Sequence, residues 1–242
     1  MTPPAPDDRR EPGAVAEGVT ALGPFFALDL HPPGSPPAGP WQPVTRSLLD
    51  ERTAEVGARL AAAGGQRPEA VELRVAASVA HLGLAARLVS PALAAAALYG
   101  RPLVFGLGDV RWQPVLGGPV PLSLPADAVG EAGTPERLAG VLAAELLAGP
   151  LEELAAAFAV SAHIARGNTV SAVNSAAAMI ARARPEAAGP ARALAALLLA
   201  RPPLAGESST APDGSFRRRS CCLIYRAAPD RKGALCGDCA LR

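Results

Sequence analysis

A chain of 242 residues with 23 basic and 22 acidic side chains has a formal net charge of +1, too balanced for nucleic acid or an anionic membrane to be its main partner. Half of it is hydrophobic but only 4% is aromatic, and much of the apolar share is alanine, which favours close-packed helices over sheets. The N-terminal MTPPAPDDRREPG has neither a basic n-region nor an apolar core, and the longest apolar runs are broken by Glu145, Asn174 and Arg182. The expectation is a cytoplasmic protein with no secretory signal and no transmembrane segment.

Taken in order, residues 1–19 are rich in Pro, Asp and Arg and are expected to be disordered. A domain of mainly helical character follows over 20–203. It opens with GPFFALDLH, where Phe26, Leu28 and Leu30 alternate as in a short strand or extended packing segment. The next stretch, PPGSPPAGPWQP, carries too many prolines for a regular element and reads as a rigid connection pinned by Trp41. Thr45 or Ser47 caps a helix that stops at Gly64-Gly65. A second helix runs from about Pro68 to Val89, with Val71, Val75, Val79, Leu82 and Ala86 on one face. Ser90-Pro91 is a cap followed by a first-turn proline, and starts a third helix ending at Gly100.

After Pro102 the pattern changes to short apolar runs with glycine turns at 106–108 and 117–118, predicting two or three antiparallel strands. Helices resume from Pro135, Pro150, Ser161 and about Ala187, with breaks at Gly149-Pro150, Arg184-Pro185 and Pro202-Pro203. Residues 204–215, LAGESSTAPDGS, read as a flexible polar linker, and residues 216–242 form a tail. The expected class is mainly α (α+β): a helical domain with a small antiparallel β-meander and a C-terminal cysteine tail.

That tail holds all four cysteines of the chain, Cys221 and Cys222 adjacent, then Cys236 and Cys239 as a C-x-x-C. In a reducing compartment such a cluster more often holds metal than forms disulfides, and a vicinal bridge would need a strained ring. Structural zinc wants two to four residues between paired ligands so that both thiolates reach one tetrahedral ion. Cys236 and Cys239 meet that requirement, whereas adjacent side chains tend to point apart. A [2Fe–2S] cluster also takes four thiolates but spreads them over two irons. Spacing therefore favours iron–sulfur and leaves zinc open.

The segments RRSCCLIYR and LCGDCAL resemble the C-terminus of FhuF-like siderophore-iron reductases. VAHLGLAARLVSPALAAAALYG and GPFFALDLHPPG extend the resemblance over about residues 20–242. It implies an oxidoreductase whose [2Fe–2S] cofactor and metal ligands are Cys221, Cys222, Cys236 and Cys239. It further implies one-electron reduction of a ferric siderophore, most naturally of hydroxamate type, by a protein drawing on an unidentified electron donor. A siderophore-binding protein with a zinc tail and an iron–sulfur redox sensor are the alternatives. Two departures stand out. The spacer Leu223–Leu235 is longer than the family's and should bulge around Ala228–Arg231, and Ala165-Arg166-Gly167-Asn168 stands where relatives show Leu-Trp-Gly-Asn.

Arg217, Arg218 and Arg219 precede the cysteines and are candidates for docking an anionic chelate or acidic donor, and for raising the cluster potential. Gly233, Gly237 and Asp238 are expected to shape the turns around the sulfurs. His31, His81 and His163 show no ligand spacing. His81 and His163 read as core or helix-surface residues, Asn168 and Asn174 as polar helix-packing residues, and Trp112 as core or edge packing. Phosphate-binding loops, dinucleotide fingerprints and Ser/His/Asp arrangements are absent from the sequence.

Overall fold

The computed structural model describes residues 11–242 except 114, 116, 117 and 159. The disorder expected of residues 1–10 and the turn at Gly117 therefore fall outside the described residues. Helix α1 (Pro12–Thr20) corrects the rest of the N-terminal expectation. Val15 and Val19, one turn apart, are fully buried, and the helix packs on α3. The polar composition of the first residues masks this short apolar stripe.

Strands β1 (Asp29–His31) and β2 (Gln42–Pro43) come next, then α2 (Arg46–Ala63), capped by the Thr45 hydroxyl accepting from Leu48 N. Helix α3 (Leu73–Tyr99) is the axis of the molecule. At 27 residues it spans about 40 Å and packs against α1, α2, α6 and α7. The sequence splits it at Ser90-Pro91; the structure does not. A mid-helix proline costs about 3 kcal/mol. Around it Leu84, Leu88, Val89 and Leu93 are all buried, each stabilising by about 1.5–3 kcal/mol, so packing outweighs the break. Gly100, at φ 65°, ends the helix in the left-handed conformation that glycine adopts without strain. By length and composition α3 could cross a membrane, but 67% of its most apolar window is buried inside the fold, as in a core helix.

The small sheet has the order β1-β4-β3-β2, with β3 (Arg111–Trp112) and β4 (Leu122–Pro125) antiparallel neighbours as expected. Two departures concern its edges. β1 joins β4 in parallel, and β2 is drawn from the proline-rich stretch, its Pro43 tolerated because it lies on an edge. Trp112 is fully buried and donates its indole N–H to the Pro43 carbonyl at 3.3 Å. The buried Arg87 of α3 ties sheet to helices by donating to the carbonyls of Phe25, Ala27 and Val120. Burial lowers its pKa to about 10, so it stays charged.

Helix α4 (Pro135–Leu142) runs through a wider π-turn over Ala143–Leu147 into α5 (Pro150–Ala157). Helix α6 (Ala162–Ala183) is capped by Ser161 and lies along α3, and α7 (Ala188–Leu199) packs on α6. The expected linker is a second correction. Leu204 is buried, and β5 (Ser208–Thr210) pairs antiparallel with β6 (Phe216–Arg218). The Asp213-Gly214 turn closes this hairpin: the Asp213 carboxylate accepts from Ser215 N at 2.9 Å and Gly214 takes φ 82°. A polar composition reads as a linker, yet each residue still has a backbone to pair. The hairpin delivers the cysteine tail to α6.

Candidate metal centre

Arg218 ends β6, and its backbone N–H donates to the carbonyl of Asp238 at 3.1 Å, so the two ends of the tail close on each other. The four cysteines meet inside this closure as free thiols, with Cys222 and Cys239 buried and Cys221 and Cys236 partly exposed. Leu223 follows the vicinal pair at φ 68°, a conformation costly for a side chain without a compensating role. Here it turns the Leu223 N–H back onto Cys221 Sγ at 3.3 Å. The same two-residue return brings the Leu241 N–H to Cys239 Sγ at 3.4 Å. Amides aimed at sulfur stabilise thiolate charge.

The Cys236 and Cys222 thiols hydrogen-bond one another, with Cys239 close to Cys236. Burial first, and then these neighbours, push the Cys236 thiol up to about 12; burial also raises Cys221. Without metal the Cys221 and Cys236 thiols are therefore protonated at neutral pH, so loading the site releases protons. Among the described residues, no three His, Cys, Asp or Glu side chains are grouped to hold a metal ion in this arrangement. Four thiolates are nonetheless the donor set of a [2Fe–2S] centre.

Arg218 brings a positive charge to these thiols. Its side chain is buried, contrary to the docking role expected of it, and it feels Cys222, Cys236 and Cys221 electrostatically. Its Nε donates to Ser220 O at 2.6 Å and one Nη to Asn168 Oδ1 at 2.6 Å. The other Nη and the Ser220 hydroxyl are buried and without a hydrogen-bond partner among the described residues. An orphaned buried donor costs about 1–3 kcal/mol. Two of them beside four cysteines fit a negatively charged sulfur-rich group.

The wall behind the tail is α6. A Cβ on Gly167 would lie 1.8 Å from Ser220 Oγ and 2.9 Å from the Arg218 Nη, so only glycine allows this approach. Asn168, fully buried, accepts from Arg218 while its amide donates to Ser78 O on α3 at 2.9 Å. The Gly167-Asn168 pair thus has a physical meaning: one residue makes room for the tail and the other anchors its buried cation. Arg166 pairs with Glu152 of α5 at 3.5 Å. Asp238, in the C-x-x-C turn, lies beside Ser171 and Asn174 of α6; burial raises its pKa against their pull.

The spacer docks on the N-terminal part of α3 and the end of α2. Arg226 donates to Glu72 at 2.7 Å, Gln66 donates to Ala227 O at 2.7 Å, and Ala227 packs with Ala61, Val71 and Val75. Residues 229–232 stand exposed as the expected bulge. Gly233 donates to Tyr225 O at 2.9 Å, and a Cβ there would meet Ala228 Cβ and Tyr225 O at 3.0 Å. Gly237 has open space around it. Sequence reasoning missed Gln66, Glu72 and Ser220, none of which belongs to a spaced pattern.

The histidines lie apart from one another. His31 meets Ser123 Oγ at 2.8 Å in the sheet, and exposed His163 pairs with Glu207 at 3.1 Å. His81 is fully buried, edge-on to Phe158 and 3.2 Å from the Asn168 amide. Burial, and then Arg218, lower its pKa to about 4. Below its ordinary value of 6.5 the unfolded chain takes up a proton that folded His81 refuses. Its contribution is therefore present above pH 6.5 and lost as pH falls toward 4, by up to about 3 kcal/mol. His81→Phe should flatten this acid limb in denaturant titrations; an unchanged limb would exclude His81 as its source.

Residues 218–241 match the family description FhuF 2Fe-2S C-terminal domain. The tail is a FhuF-type [2Fe–2S] domain. No curated protein and no solved structure matches the chain significantly. The FhuF-like assignment rests on the tail, whose match begins at Arg218 and takes in all four cysteines. The buried guanidinium thus lies within the FhuF-type domain, while the Gly167-Asn168 wall that receives it lies in the helical part of the chain.

Proposed function

We propose that this FhuF-like chain is a cytoplasmic ferric-siderophore reductase in which Cys221, Cys222, Cys236 and Cys239 ligate the [2Fe–2S] group. The observation that carries the reading is the enclosure of four thiols against α6 with two buried donors beside them. When bound, such a group supplies single electrons at a low potential, about −400 mV for plant-type thiolate-ligated centres. Siderophores hold Fe(III) through anionic oxygens, and removing one unit of metal charge weakens all of those bonds at once. The chain's own residues fix where the electron leaves. Cys221 and Cys236 are partly exposed, so the tail presents that side to a partner.

Arg217 and Arg219 are exposed on either side of buried Arg218, leaving these two to attract an anionic chelate or an acidic electron donor. Arg218 acts inward: a fixed positive charge beside the sulfurs favours the more negative, reduced state. Arg218→Met, apolar and of similar length, should lower the midpoint potential by at least a tenfold change in the one-electron equilibrium, about 59 mV. A redox titration followed by EPR reads this directly, and an unchanged potential would remove Arg218 from that role.

Anaerobic purification tests the reading as a whole. The expected product is red-brown, bleaches with dithionite and, once reduced, delivers Fe(II) to a ferrous trap from a ferrioxamine-type chelate faster than from a catecholate. Colourless protein with one bound zinc overturns it. A coloured protein that reduces neither chelate is a sensor instead.

A further inference from the structure

The near-neutral charge of the chain conceals a division along it. Residues 216–242 hold seven basic and two acidic side chains, so they carry a net +5 while the other 215 residues sum to −4. We infer that the outer edge of the tail is the docking face for an acidic one-electron carrier protein, which delivers electrons to the cysteine centre. The inference rests on the reductase reading and names the class of its donor.

The face joins four exposed side chains. Arg217 and Arg219 alternate with buried Arg218, so both leave the β6 backbone on the side away from the thiols. The Arg217 guanidinium donates to Arg242 O, and that of Arg242 to Gly237 O at 3.4 Å, inside the C-x-x-C turn. Next to Arg242, Leu241 is 55% exposed, a large apolar side chain left in water. The neighbouring acids are engaged elsewhere: Asp213 with Ser215 N, Glu207 with His163, and Asp238 beside Ser171 and Asn174. Most of the positive charge is therefore left to an incoming partner.

Place and make-up together identify the occupant. An apolar anchor with a charged rim is the anatomy of a protein interface, and an oxygen-coated ferric chelate has little use for Leu241. The Leu241 N–H is bonded to Cys239 Sγ at 3.4 Å, so a partner resting on Leu241 lies one peptide group from a cysteine sulfur. Anionic lipid would also meet arginines and a leucine, but only a redox partner makes use of contact with the cysteine turn. One electron passes from the reduced carrier to the oxidised centre, leaving the carrier oxidised, and no proton or bond changes hands. Charge steering speeds such an encounter, while a single exposed leucine keeps the contact brief enough for turnover.

Binding is measured by calorimetry with the cluster-loaded, full-length chain and two oxidised probes, a plant-type ferredoxin and a flavodoxin, both small acidic carriers. At least one should bind at about 0.01 M ionic strength and weaken at least tenfold by about 0.15 M, as the Debye length falls from about 30 to 8 Å. Arg217→Glu/Arg219→Glu should weaken the low-salt complex at least tenfold and flatten its salt dependence, with the visible spectrum unchanged. Leu241→Ser should weaken binding about fivefold at every salt concentration, because it removes apolar contact and no charge. Arg192→Glu, at an exposed position on α7, should bind as wild type does. Failure of both carriers to bind, salt-independent binding, an unaffected double arginine variant or an equal loss in Arg192→Glu would each overturn the docking face. Phosphatidylglycerol vesicles that bind in place of both carriers would overturn it in favour of a membrane contact. If dithionite-reduced protein still delivers Fe(II) in those cases, the reductase reading survives without the docking face. If a carrier binds and bleaches the protein but no ferric chelate is reduced, the docking face stands and the reductase reading falls.

Discussion

Cys222→Ser is expected to give a folded chain that purifies without visible absorbance and releases no ferrous iron from a chelate. Cys222 is 1% exposed and hydrogen-bonded to Cys236, so it sits at the closed end of the thiol set rather than at its rim. Serine conserves volume, but its hydroxyl does not ionise near neutral pH and is a poor ligand for iron in a sulfur site. Three remaining thiolates would leave one iron open to exchange and hydrolysis. The helical domain should be little affected, because its large core is built from α1–α7 and the sheet and does not include the cysteines. Far-UV circular dichroism should therefore match wild type while the chromophore is lost. If the variant stays coloured and bleaches normally with dithionite, Cys222 is not a ligand.

Gly167→Ala is expected to loosen the tail without touching a cysteine. The new methyl would overlap Ser220 Oγ at 1.8 Å and crowd Ser220 Cβ at 3.1 Å, so the tail must move off α6. That movement strains the buried bond between Arg218 and Asn168, and a hydrogen bond to a charged group is worth about 1.5–3 kcal/mol. Amide exchange over residues 218–241 should rise and the cluster should be lost on dilution, with the exchange of α3 little altered. Removing the clashing hydroxyl supplies the control. In Gly167→Ala/Ser220→Ala the worst overlap is gone and the closest contacts are the Arg218 Nη at 2.9 Å and the Ser220 Cβ at 3.1 Å, so part of the protection and colour should return. A double variant no better than the single would show that the close approach at Gly167 does not hold the tail.

Some of this was legible in the residues alone, because it depends on short-range chemistry. Thr45, Thr134 and Ser161 accept bonds from the third residue of the helices that they start, and Gly100 turns left-handed at the end of α3. The cysteine spacing pointed to four thiols at one place, and the tail closes them together. Other features were hidden because packing overrides local preference. Pro91 reads as a helix start until the buried side chains around it are known, and SST at 208–210 reads as linker until β6 is beside it. Likewise, three adjacent arginines read as one basic run, although the alternation of β6 turns the middle one inward.

The sequence by itself determined the helical class, the caps and the gathering of four cysteines in one tail, since composition, capping and cysteine spacing act over a few residues. Only the tertiary structure decided that Gly167 and Asn168 form the wall behind the thiols and that Arg218 is buried beside them. The reason is separation along the chain: the tail meets α6 about fifty residues upstream and α2 and α3 well over a hundred upstream. Such contacts leave no periodic mark on either partner.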